Sequence, residues 1–174
     1  VPLAHQGQVD LGVAGRDAAP RQLAEEGGDE GVVGGDREAG RELFDMLRPF
    51  GIRIAVISNA SMIWREEVQS CLHKADWVSL KVDATRESVW QTINQPHPDL
   101  RLTSILGGIE AFAQSFDGFL ATETMLVAGI NDDAETIKGV ADFLADVGPD
   151  MAYLAVPTRP PAQADVRPEP VARG

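Results

Sequence analysis

Between residues 41 and 156 the apolar positions alternate between helical spacing and short, nearly unbroken runs. Leu43, Phe44 and Leu47 mark one face of a helix over residues 41–50, closed by Pro49 and Gly51. Residues 52–58 are a run rich in β-branched side chains, the pattern of a strand buried on both faces of a parallel sheet. Ser61 is placed to cap a helix reaching about Lys74, and residues 76–82 read as a second strand. A helix over residues 85–94 follows, with Thr85 at its N-cap. Leu102, Ile105, Leu106, Ile109, Phe112 and Phe116 then form a continuous stripe on a fourth helix.

Residues 119–127 predict a third strand. A helix capped by Asp132 or Asp133 runs to Val147, with Ile137, Val140, Ala141 and Leu144 turned inward and Gly148-Pro149 as its stop. Residues 151–156 form the last strand. Strands separated by helices imply an α/β fold with a parallel sheet and right-handed crossovers.

The flanks differ from this core. Nine of the 17 glycines lie in residues 1–40, which lack Phe, Tyr and Trp. That low-complexity composition is expected to be disordered, or foreign to the fold in the way an out-of-frame reading would be. Residues 157–174 hold five of the 11 prolines and are expected to lie outside the sheet.

A length of 174 residues, 44% of them hydrophobic, is enough for one domain with a real core. No apolar run is long enough to cross a bilayer, and no secretory leader is evident. A single cysteine, Cys71, rules out an internal disulfide and fits a cytoplasmic protein. The net charge of −12, with lysines only at positions 74, 81 and 138, disfavours direct nucleic-acid binding.

Ligands of parallel α/β folds sit beyond the carboxyl ends of the strands. Ser58 and Asn59 end the first core strand, where they bond a ligand or simply shape a turn. Lys81 and Asp83 are two apart and share a face. Inside a barrel they must pair or bind a ligand, whereas at an open edge Lys81 is solvated and Asp83 begins the next helix. Glu123 and Met125 share a face by the same rule. Gly129 permits close backbone approach, and Asn131 either contacts a ligand or caps a helix. His97 is a proton donor or a solvated loop residue. Arg159 binds a carboxylate or phosphate, or sits at the surface. Trp64, Trp77 and Trp90 are expected in packing, and Cys71 as a small buried hydrophobe.

Several strings, in order, carry a resemblance. They are Ser58-Asn59-Ala60, Asn94-Gln95-Pro96-His97-Pro98, the stretch from Glu123 to Asp133 ending in a Gly-x-Asn-Asp turn, and Pro157-Thr158-Arg159-Pro160-Pro161. From about Gly40 to Pro161 the chain resembles the radical S-adenosylmethionine (SAM) superfamily, in its wyosine-synthase-like branch. The resemblance implies a partial (βα) barrel without its N-terminal strands. It also implies SAM and a [4Fe–4S] cluster as cofactors, and Ser58, Asn59, Lys81, Asp83, Glu123, Met125, Asn131 and Arg159 as cofactor contacts. Intact relatives would generate a 5′-deoxyadenosyl radical. The family's C-x3-C-x2-C cluster loop is absent, and Ser58-Asn59-Ala60 lacks the glycine of the family's Thr-Asn-Gly element.

The expectation is therefore a radical SAM-like domain without radical activity. Two other readings stand beside it. One is a non-enzymatic acidic module binding a nucleotide or a protein. The other is an unrelated barrel enzyme using Lys81 and Asp83 for proton transfer. Open sheet edges are expected to favour self-association.

Overall fold

A computed structural model describes residues 9–13 and 37–156. A single five-stranded sheet organises them, with the strands in chain order across it. Strands Ile54–Ser58 (β2), Trp77–Lys81 (β3), Phe119–Met125 (β4) and Met151–Ala155 (β5) are mutually parallel. Val9–Val13 (β1) pairs antiparallel with β2. The helices are Arg37–Leu47 (α1, continued by a 3-10 turn over Arg48–Phe50), Glu66–Leu72 (α2), Glu87–Asn94 (α3), Leu102–Ser115 (α4) and Ala134–Val147 (α5).

Parallel neighbours joined in chain order need crossovers of one hand, which puts the connecting helices on one face of the sheet. The burial pattern agrees. Ile54, Val56, Val78, Leu80 and Leu120 alternate onto that face and form one core with Leu72, Ile105, Ile109, Phe112 and Val140 from the helices. The opposite face carries Ile57, Phe119, Met151 and Tyr153, all exposed, around the buried Ser79 and Ala121. This is the α/β fold with a parallel core that the alternating pattern predicts.

Two tight features lock the layers. A Cβ on Gly108 of α4 would stand 2.6 Å from the Trp64 backbone nitrogen, so only glycine lets α4 approach the turn after β2. At the amino ends of the strands, Asp76 accepts from the Ile54 N–H at 2.7 Å and Asp150 from the Leu120 N–H at 2.8 Å. Each carboxylate stands one residue before its own strand and holds the start of the preceding one.

Several expectations are corrected. Residues 9–13 are a strand, although composition argued against any order before residue 41. Val9, Leu11 and Val13 alternate with Asp10 and Gly12, a period-two signal that the surrounding glycines obscure. α1 begins at Arg37 rather than at residue 41. α2 starts at Glu66, not near Ser61, because residues 60–65 turn first. α3 starts at Glu87, with Arg86 rather than Thr85 at its N-cap. On α5 Thr136 and Val140 are buried and Leu144 packs half-buried against the core, while Ile137 and Ala141 face solvent. Trp64 is 47% exposed, with the Arg65 guanidinium over its ring, so only Trp90 of the three tryptophans is buried. Cys71 is half-buried against the core. Arg159 and the proline-rich tail lie outside the described residues.

Candidate functional site

The carboxyl ends of β2, β3 and β4 bring together five of the residues singled out from the sequence. Lys81 and Glu123 are register partners across β3 and β4. The Lys81 ammonium lies 3.2 Å from Asp83 Oδ1 and 3.8 Å from Glu123 Oε1. Asp83 is wholly buried at its side chain, whereas Lys81 keeps 25% and Glu123 43% of theirs exposed. Met125 flanks Glu123 on the same face, and Asn59 lines the same recess as Lys81 and Asp83.

Asp83 is committed to structure as well as to charge. Its Oδ1 accepts from the Met125 N–H at 2.9 Å, and its Oδ2 accepts from the Asn94 amide at 2.8 Å. A buried carboxylate with two such donors and a lysine is fully compensated. With both oxygens engaged it is poorly placed to shuttle a proton. The geometry therefore favours an anchor that holds Lys81 over the proton-transfer reading.

Asn131 is a clamp. Only 1% exposed, it accepts from the Val127 N–H at 2.7 Å and donates to the carbonyls of Met125 at 2.8 Å and Asp83 at 3.0 Å. Helix capping falls to Asp133, whose carboxylate accepts from the N–H groups of Glu135 and Thr136. Hydrogen bonds from the Thr136 hydroxyl and backbone, with the Arg86 charge, hold the Asp133 carboxyl below the usual carboxylate range. Asp132 serves the turn, accepting from the Gly129 N–H at 2.9 Å.

Ser58 does not join the cluster. It is buried on the helix-packed face, and its hydroxyl accepts from the Ala60 N–H at 3.1 Å. Asn59 Oδ1 likewise accepts from the Ser61 N–H at 3.1 Å. Ala60 carries a φ of 61° while 1% exposed. A left-handed conformation favours glycine, so the backbone at this position is one that a glycine would adopt more readily.

Asn94 escaped selection as a site residue. The signal was its place in the Asn94-Gln95-Pro96 string, where Gln95 turns left-handed and ends α3 beside Asp83. Its Oδ1 is buried without a hydrogen-bond partner and borders the recess lined by Asn59, Lys81, Asp83 and Trp90. The recess has a volume of about 20 Å³, room for one water. His97 sits apart in the loop after α3, its Nδ1 3.6 Å from Asp99.

No family model matches the chain. A UPF0026 protein of Methanocaldococcus jannaschii is 44% identical over 124 residues, covering 71% of this chain and 39% of that protein. A UPF0026 protein of Helicobacter pylori is 31% identical over 121 residues, again covering 39% of its length. The chain thus spans about two fifths of the curated relatives it matches. Among solved structures, a domain of pyruvate-formate lyase-activating enzyme from Bacteroides vulgatus superposes with a TM-score of 0.60 at 22% identity, covering 80% of this chain and 83% of that one. The fold is radical SAM-like.

The sequence resemblance implies a cluster, and this chain's residues do not fit one. Each cluster iron needs its own thiolate or substitute donor, and the sequence holds one cysteine. Among the described residues no group of three His, Cys, Asp or Glu side chains could hold a metal ion. The orphaned Asn94 Oδ1 seeks a donor, and Lys81 and Glu123 offer opposite charges at an accessible strand end. No helix among the described residues is long and apolar enough to cross a membrane.

Proposed function

We propose that this chain is a radical SAM-like domain that binds SAM across the carboxyl ends of β2, β3 and β4. The observation that carries the reading is Lys81 held between Asp83 and Glu123 in the strand-end cluster. SAM presents a carboxylate, an ammonium and a sulfonium. Lys81 would take the carboxylate, Glu123 would face the cationic groups, and Asp83 would keep Lys81 in place. The net charge of −12 and two carboxylates to one lysine both favour a ligand that is cationic overall. Asn94 Oδ1 would accept from a ligand hydroxyl or amine. The recess is too small for a nucleoside, so the adenosine would lie over the open face of the sheet.

The strings from Glu123 to Asp133 and from Asn94 to Pro98 support the wyosine-synthase-like branch. Asn59 and Met125 border the proposed site, and Arg159 would contribute from the segment after β5.

Isothermal titration of the purified chain with SAM, with uncharged-sulfur S-adenosylhomocysteine and with adenosine tests the proposal. SAM should bind tightest, and Lys81→Ala should weaken it about 10- to 100-fold, the worth of one charge-assisted hydrogen bond. Equal affinity for all three, or no effect of Lys81→Ala, would overturn it.

A further inference from the structure

We infer that this chain holds no iron–sulfur cluster of its own, so that SAM at the strand ends is bound by protein groups alone. This rests on the SAM reading of the site. The positive argument is topological. Cys71 lies in the last turn of α2, which leaves the carboxyl end of β2 and runs back towards the amino end of β3. Four residues past Leu72, the Asp76 N–H bonds Ile54 O at the opposite edge of the sheet. From there to Lys81 the chain climbs the length of a strand, about 16 Å for five residues. The only thiol therefore stands at the wrong edge of the sheet to meet a ligand near Lys81 and Asp83.

Substitute donors do not repair this. His73 shares the edge of Cys71, its ring 5.0 Å from that of Phe112 and its Nε2 3.3 Å from the Ser115 hydroxyl. His97 lies beyond α3, in the loop that leads into α4, but it is one ligand. Asp83 is occupied by Met125, Asn94 and Lys81. At the strand ends Glu123 is a single carboxylate beside Lys81, a cation with no lone pair for iron when protonated. Four irons cannot be held by that set.

The chain then acts as a SAM-binding module, and the reductive cleavage that needs a cluster electron is not assigned to it. Such binding is indifferent to oxygen and to chelators, because no metal contributes to the affinity.

The test is a single anaerobic preparation divided in two, one half reconstituted with ferrous iron and sulfide and the other treated with a chelator. Iron is counted, EPR is recorded after dithionite, and SAM affinity is titrated in both halves and in Cys71→Ser. The expected result is substoichiometric iron, no reduced-cluster signal, and the same SAM affinity within about twofold throughout. A reducible four-iron cluster per chain, or SAM binding that appears only after reconstitution, would overturn the inference while keeping the strand-end site. No SAM binding in either half would remove the SAM reading itself, and this inference with it.

Discussion

The buried amide of Asn131 donates to the backbone carbonyl of Asp83 at 3.0 Å, tying the turn after β4 to the end of β3. Through its other bonds to Met125 and Val127, the same side chain closes its own turn. The strand ends that carry Lys81 and Glu123 are thus set by a residue that touches neither charge. Asn131→Ala should destabilise the chain by about 2–4 kcal/mol, since three backbone groups lose a partner at once. Asn131→Asp, which keeps the acceptor and loses both donors, should also destabilise. Denaturant unfolding measures both, and a change below about 0.5 kcal/mol in either would refute the clamp.

Gly107 and Gly108 are neighbours on α4 with opposite requirements. A Cβ on Gly107 meets nothing within 4 Å, whereas one on Gly108 meets the Trp64 backbone. Gly107→Ala should stabilise by about 0.5–1 kcal/mol through helix propensity. Gly108→Ala should destabilise by about 1–3 kcal/mol through overpacking. Thermal unfolding of the pair should show shifts of opposite sign.

Asp133 supplies a pH dependence whose direction follows from its partners. Its folded pKa is lowered by the Thr136 hydrogen bonds and by Arg86. The stabilisation is therefore complete above the ordinary carboxylate range and is lost as pH falls through the lower, folded value. In Asp133→Asn this component is absent. The melting-temperature gap between parent and variant should be widest near neutrality and narrow in acid. A gap that grows on acidification would contradict the assignment.

β5 is the last strand of the sheet among the described residues, and Leu154 on it is 71% exposed. We predict self-association through this edge, as unpaired strands template further pairing. Because the charge of −12 opposes it, association should rise with salt. Leu154→Lys should suppress it. Sedimentation velocity decides, and a monomer at all salt concentrations would set the prediction aside.

The parallel core was legible because each of its four strands is a short apolar run and each connection carries a helical stripe. The strand ends were legible for a simpler reason: a period of two places Lys81 with Asp83, and Glu123 with Met125. What escaped was set by tertiary contact. β1 hides in glycine-rich sequence and declares itself only through pairing with β2. Of the two roles the sequence leaves open for Ser58, the structure shows the turn contact, with the side chain in the helix layer. Asn94 lies 11 residues from Asp83, and no local pattern shows that the end of α3 folds back onto it. The exposure of Ile137 and Trp64 likewise depends on how far a neighbouring element extends, which side-chain character does not reveal.

Amide hydrogen exchange with and without SAM tests the site most directly, because it reports where the ligand sits as well as whether it binds. Bound SAM should slow exchange at residues 81–84, at 94 and at 123–131, with little change in α2 around Cys71. Protection centred on α2, or none at the strand ends at saturating SAM, would contradict the assignment of the Lys81–Asp83–Glu123 cluster as the ligand site.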